Sequence, residues 1–153
     1  AMIPLNLPDF KPNLKFEQQK TLIYDVIRKK FVVLTPEEYV RQHVIHYIIN
    51  QLGYPLHQIN VEKMITFNQT NRRVDIVVFN QMAQTHIIVE CKAADIPLTE
   101  NTARQIGVYQ YALPCNYLFI TNGINHFAFE KKILNEQIHW QKIEVLPRYG
   151  LIL

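Results

Sequence analysis

Glycine is scarce in this chain, with four in 153 residues, and no glycine-rich phosphate-binding loop is present. Nucleotide folds of the P-loop or dinucleotide type need such a loop, because their backbone must approach phosphate closely, so those folds are excluded. Cysteine is scarcer still, with Cys91 and Cys115 the only two. Two cysteines make no disulfide framework and fit a reducing compartment, and neither has a Cys or His neighbour at zinc-ligand spacing. No apolar run approaches the roughly 18 residues a membrane helix needs. The opening AMIPLNLPDF has no basic start leading into an apolar stretch. Neither a membrane partner nor a secretory leader is expected, and the chain is read as cytoplasmic. Charge of one sign is also in short supply: a net +3 permits a polyanionic partner without demanding one.

What is present describes an ordinary globular protein, with 48% hydrophobic and 19% charged residues. The length fits a single domain over residues 1–153, preceded by an irregular arm to about residue 20 that carries Pro4, Pro8 and Pro12. A small hairpin is expected over 21–34. The clearest helix follows, in TPEEYVRQHVIHYIINQLGYP: Thr35 suits the N-cap, Pro36 the first turn and Glu38 a capping box. Val40, Val44, Ile48 and Leu52 make its apolar stripe, which Gly53 and Pro55 end. Strands are expected at 59–67, 74–79 and 85–91, then a second helix over 100–113, opened by Thr99 and closed by Pro114. A strand at 117–121 follows, an Asn122-Gly123 turn into HFAFE, and one more short strand in the tail. This order predicts an α/β fold with a mixed central sheet flanked by helices.

The informative residues are charges in the wrong place. RRVDIVVFNQMAQTHIIVECK sets Asp75, Glu90 and Lys92 within or at the end of apolar strands, where unpaired charge is rarely buried. An acid-x-Lys tripeptide means little alone: it occurs three times here, where about one copy is expected by chance. Only Glu90-Cys91-Lys92 ends an apolar strand and has an acid, Asp75, in the strand before it. Strand alternation sends Glu90 and Lys92 to one side and Cys91 into the core. A hairpin then sets Asp75 beside Glu90. Two converging carboxylates repel unless a cation lies between them, and Mg²⁺ takes few carboxylates and reaches for phosphate. Lys92 would face the attacking water or the phosphate, which suits phosphodiester hydrolysis. The competing reading is a structural ion-pair cluster at a strand end.

Asp75, Glu90-Cys91-Lys92 and then Gln105-x-x-x-Tyr109 resemble the PD-(D/E)XK nucleases. More narrowly, TPEEYVRQ, RRVDIVVF, IVECKA, RQIGVYQYAL and FITNG resemble the N-terminal nuclease domain of type I restriction enzyme R subunits, over roughly residues 24–130. The resemblance implies a restriction-endonuclease-like α-β-β-β-α-β core and an endonuclease that uses Mg²⁺ or Mn²⁺ to cut DNA. Asp75 and Glu90 would be metal ligands, with the Cys91 backbone carbonyl as a third, and Lys92 the catalytic lysine. Gln105 and Tyr109 would form the element that arranges DNA and the site. Glu38 corresponds to a helical acid that often faces the metal; from the residues alone it is equally the cap partner of Thr35. The family's leading Pro-Asp is absent, since Val74 precedes Asp75. No motor domain fits within this chain, so a homodimer, or a motor or specificity partner in trans, is the expectation.

Arg72 and Arg73 stand just before Asp75, where they could hold DNA phosphates or simply be solvated. His43 and His46 share a helix face without a third ligand and are read as surface or interface residues. Lys29-Lys30 and Lys131-Lys132 are read as solvated. The alternative to the nuclease is a nucleic-acid-binding module that keeps the fold and does no chemistry.

Overall fold

The computed structural model describes residues 2–67, 69–110 and 115–150, and their side chains except at 67 and 108–110. Three strands come first, β1 (Leu14–Glu17), β2 (Lys20–Asp25) and β3 (Lys30–Val33), in a small antiparallel sheet. The irregular arm therefore ends sooner than expected. Gln18 and Gln19 both take left-handed backbone (φ 51° and 63°), which closes a two-residue hairpin without the usual Gly or Asn. The arm itself is tied down. The Asn6 N–H donates to the Gly123 carbonyl at 2.8 Å, and Phe10 stacks on His46 and meets His43 edge-on. This stacking accounts for the two histidines as packing residues.

Helix α1 (Pro36–Asn50) starts at Thr35, whose Oγ1 accepts the Glu38 N–H at 3.1 Å. Such a cap is worth about 1 kcal/mol. Val40, Val44 and Ile48 are fully buried and Leu52 nearly so, as the stripe requires. Strands β4 (Ile59–Phe67), β5 (Thr70–Phe79) and β6 (Thr85–Cys91) follow, then α2 (Glu100–Gln110), β7 (Tyr117–Thr121), β8 (His126–Leu134) and β9 (Gln137–Ile143). The expected C-terminal end of the second helix, 111–113, lies outside the described residues. At the other end Thr99 and Thr102 bond each other's backbone N–H, opening α2 as anticipated.

Strands β4 to β9 form one six-stranded sheet in sequence order. Only β6 and β7 run parallel, because α2 carries the chain across between them. The helices take opposite faces. Val40, Val44, Ile45 and Ile48 of α1 pack on Ile76, Val78, Ile87, Val89 and Cys91. Ala103 of α2 shares a second cluster with Val77, Ile88, Leu118 and Ile120. The chain is thus a mixed α/β protein whose central strands are covered on both faces, so a polar group among them needs a partner. Among the described residues no helix is long and apolar enough to cross a membrane.

Candidate active site

The site lies where β5 and β6 part. Their pairing is regular from Val78 and Ile87 to Ile76 and Val89. One step further, the same register would set Asp75 against Glu90. There the Cys91 N–H donates instead to Asp75 Oδ2, at 2.7 Å, and the Lys92 N–H turns to the Thr121 carbonyl on β7, at 2.8 Å. A carboxylate thus replaces a backbone carbonyl as the acceptor in the fork. The opposite edge of β5 is also disturbed there, since Glu62 of β4 has left-handed backbone at φ 55°.

Alternation along β6 decides what faces the fork. Cys91 is buried in the α1 cluster, whereas Glu90 and Lys92 turn toward α2. Together with Arg72, Arg73, Thr102, Gln105 and Ile106 they line an open groove of about 550 Å³. Sequence reasoning named Arg72, Arg73, Glu90, Lys92 and Gln105, and the fold brings all five to this one groove. Asp75 is not part of that lining, but its carboxylate reaches Glu90. Tyr109 lies on α2, but its side chain is outside the described residues, so the Gln105–Tyr109 pairing has only its first member on view.

Burial, then the adjacent Asp75 carboxylate, pushes the Glu90 carboxyl up to about 8, against the opposing pull of Lys92 and Arg72. Two carboxylates this close favour a bound proton on Glu90 or a cation between them.

Glu38, read from the sequence as either a metal-facing acid or the cap partner of Thr35, turns its side chain to a set of donors on α1 and the β2–β3 turn. Its carboxylate, nearly buried, accepts from Arg41 Nη1 at 2.7 Å, Arg28 Nη2 at 2.8 Å and Gln42 Nε2 at 3.0 Å. Its link to Asp75 runs through Arg41, whose Nη2 reaches Asp75 Oδ1 at 3.1 Å. Three polar donors hold this acid, and a guanidinium stands between it and the Asp75–Glu90 pair. The capping box is half formed: Thr35 caps Glu38, but the Glu38 side chain turns to the arginines instead of back to Thr35.

Behind this lies a network that sequence reasoning missed. Asp25, fully buried, accepts the Ile27 and Arg28 N–H groups at 2.7 and 2.8 Å, Arg28 Nε at 2.7 Å and Gln42 Nε2 at 2.9 Å. Burial alone would raise its carboxyl; the Arg28 and Gln42 bonds more than offset that and hold it below the ordinary carboxylate range. Arg28 also approaches Glu62 at 3.3 Å, so the β2–β3 turn is clamped to α1 and β4. The available signal was Arg41-Gln42 within the apolar face of α1, between Val40 and Val44, where buried polar groups must find partners.

A family model described as the type I restriction enzyme R protein N terminus matches residues 36–147. That span runs from the first residue of α1 past the end of β9 and includes every candidate site residue. A search of curated proteins returns no match.

Proposed function

The chain belongs to the family of type I restriction enzyme R protein N termini, and from that premise we propose that it is a divalent-metal-dependent deoxyribonuclease of the PD-(D/E)XK class. Elements α1, β4, β5, β6, α2 and β7 would be its restriction-endonuclease-like core. One observation carries the reading: Asp75 and Glu90 are in hydrogen-bond contact at a strand fork, beside Lys92, in a groove that also holds Arg72, Arg73 and Gln105.

The donor set suits a hard divalent cation. Two adjacent carboxylates, with the Cys91 carbonyl nearby in the chain, match the few oxygen ligands that Mg²⁺ or Mn²⁺ takes from protein. When bound by Asp75, Glu90 and the Cys91 carbonyl, such an ion supplies Lewis-acid polarisation of the scissile phosphate and its attacking water. The remaining work falls to this chain's own groups. Lys92 Nζ orients the water or compensates charge on a non-bridging oxygen. Arg72 and Arg73 grip flanking phosphates, and Gln105 and Tyr109 align the strand from α2. Glu38 acts on the site through Arg41. The chain would work in the cytoplasm, where its two buried thiols stay reduced. Its partner is DNA, and it works as a homodimer or with a motor or specificity partner in trans.

A second reading has one observation in its favour. Among the described residues, no group of three or more His, Cys, Asp and Glu side chains could hold a metal ion. A binding module that does not cut would fit that. Incubation with supercoiled plasmid in Mg²⁺ or Mn²⁺, with and without chelator, separates the two. Chelator-sensitive nicking supports the nuclease, and binding without nicking supports the module.

A further inference from the structure

We propose that Arg41 is the internal counter-ion of this site: its guanidinium competes with the divalent cation for Asp75 and yields the carboxylate when the cation binds. This rests on the nuclease reading above. Arg41 is 6% exposed and lies within ion-pair distance of four carboxylates: Glu38 at 2.7 Å, Asp75 at 3.1 Å, Glu37 at 3.3 Å and Glu62 at 3.6 Å. One positive charge shared by four acids can release one of them and remain paired. Its Nε, moreover, has no hydrogen-bond partner, so the guanidinium is not locked by a complete set of acceptors.

What Asp75 would lose on release is its counter-charge rather than its orientation. Its Oδ2 keeps the 2.7 Å bond from the Cys91 N–H, which fixes the carboxylate to the end of β6. Two effects of Arg41 on cation binding therefore oppose one another, and their sizes differ. Positioning is largely supplied by Cys91. Glu37, Glu38 and Glu62 offset part of the Arg41 charge, but repulsion between a buried guanidinium and a divalent ion on the same carboxylate remains, and it weakens binding by roughly tenfold even at a high effective dielectric. Repulsion wins. Arg28 provides the internal control: it pairs with the same Glu38 and Glu62, but its third acid is Asp25 rather than Asp75.

The test is Mn²⁺ titration followed by the EPR signal of the free ion, without DNA, on the parent, Arg41→Gln, Arg41→Lys, Arg28→Gln and Asp75→Asn. Arg41→Gln should bind Mn²⁺ roughly tenfold tighter than the parent. Arg41→Lys, which keeps the charge, should stay close to the parent, and Arg28→Gln should gain clearly less than Arg41→Gln. Equal or weaker binding by Arg41→Gln overturns the inference while leaving the nuclease reading intact, and so does an equal gain in Arg28→Gln. Absence of Asp75-dependent binding in every protein overturns both. Should Arg41→Gln fail to fold, side-chain ¹⁵N NMR of the parent serves: Mg²⁺ should speed solvent exchange at the Arg41 Nη groups, and an unchanged signal refutes the competition.

Discussion

Two clusters of buried charge meet at Arg41, and they are built on opposite rules. In the first, Asp25 and Glu38 are each bonded to an arginine and to Gln42, and the hydrogen bonds are short and convergent. In the second, Asp75 and Glu90 are driven together, and burial with a like-charged neighbour pushes Glu90 far above the ordinary carboxylate range. Burial of charge therefore does not mark a site by itself. A like-charged neighbour does: opposite signs close an ion pair, as at Asp25, whereas two adjacent carboxylates favour a proton or a cation even with Arg41 on one of them.

The largest expected effect comes from the second cluster. Lys92→Ala should lower the plasmid-nicking rate about a hundredfold or more, the usual loss when one charge-stabilising group is removed from an active site. Its DNA affinity and melting point should change little. A Lys92→Ala protein that nicks at the parental rate would place the chemistry elsewhere.

Stability separates the clusters next. Asp25→Asn breaks a closed pair and should cost about 3–5 kcal/mol. Asp75→Asn in EDTA removes the like charge beside Glu90 and leaves Arg41 three other acids, so it should stay within about 1 kcal/mol of the parent. Urea unfolding of both variants checks this, and equal losses would erase the distinction between the clusters. The pH dependence follows from the direction at Asp25. Its carboxyl titrates lower folded than unfolded, so the unfolded chain binds the proton more readily and stability rises with pH. The contribution is full above the unfolded value of about 3.9 and is lost as pH falls through the folded one. Acid unfolding below about pH 4 should accordingly be steeper in the parent than in Asp25→Asn.

Much of this was legible in the sequence, and the reason is locality. Strand alternation put Glu90 and Lys92 on one side and Cys91 on the other, and β4, β6 and β7 fall on the residues expected. The stripe Val40, Val44, Ile48 and Leu52 identified the buried face of α1. What escaped was either unusual turn chemistry or long-range pairing. Gln18-Gln19 carries no hairpin signature, so β1 reads as part of the arm. β5 begins at Thr70 rather than Val74, because its polar start is paired with β4 and not buried. Arg41 reaches Asp75 across 34 positions and Gln42 reaches Asp25 across 17, and no local pattern encodes either. Glu38 illustrates the limit: its place in a cap motif was readable, and its two arginine partners were not.

Smaller effects belong to the groove. Arg72→Ala and Arg73→Ala should each weaken DNA binding without changing sequence preference. Each should also make the salt dependence shallower, by about one unit of log–log slope for every phosphate that is no longer neutralised. Fluorescence anisotropy at several salt concentrations measures this. Gln105 is exposed on α2, so Gln105→Ala should slow nicking by less than Lys92→Ala and move stability by no more than about 0.5 kcal/mol. A large drop in melting point with parental nicking would make it a packing residue instead.

The central claim is that the Asp75–Glu90 pair demands a cation, and the most direct measurement is a melt of the parent and of Asp75→Asn, each in EDTA and in Mn²⁺. A ligand that binds only the folded state at about a hundred times its Kd adds roughly 2.7 kcal/mol. For a domain of this size that should raise the parental melting point by roughly 5 °C or more. Asp75→Asn should show little or none of that rise. A parent whose melting point is the same in EDTA and in saturating Mn²⁺ would contradict the account and leave Asp75, Glu90 and Lys92 as a structural charge cluster.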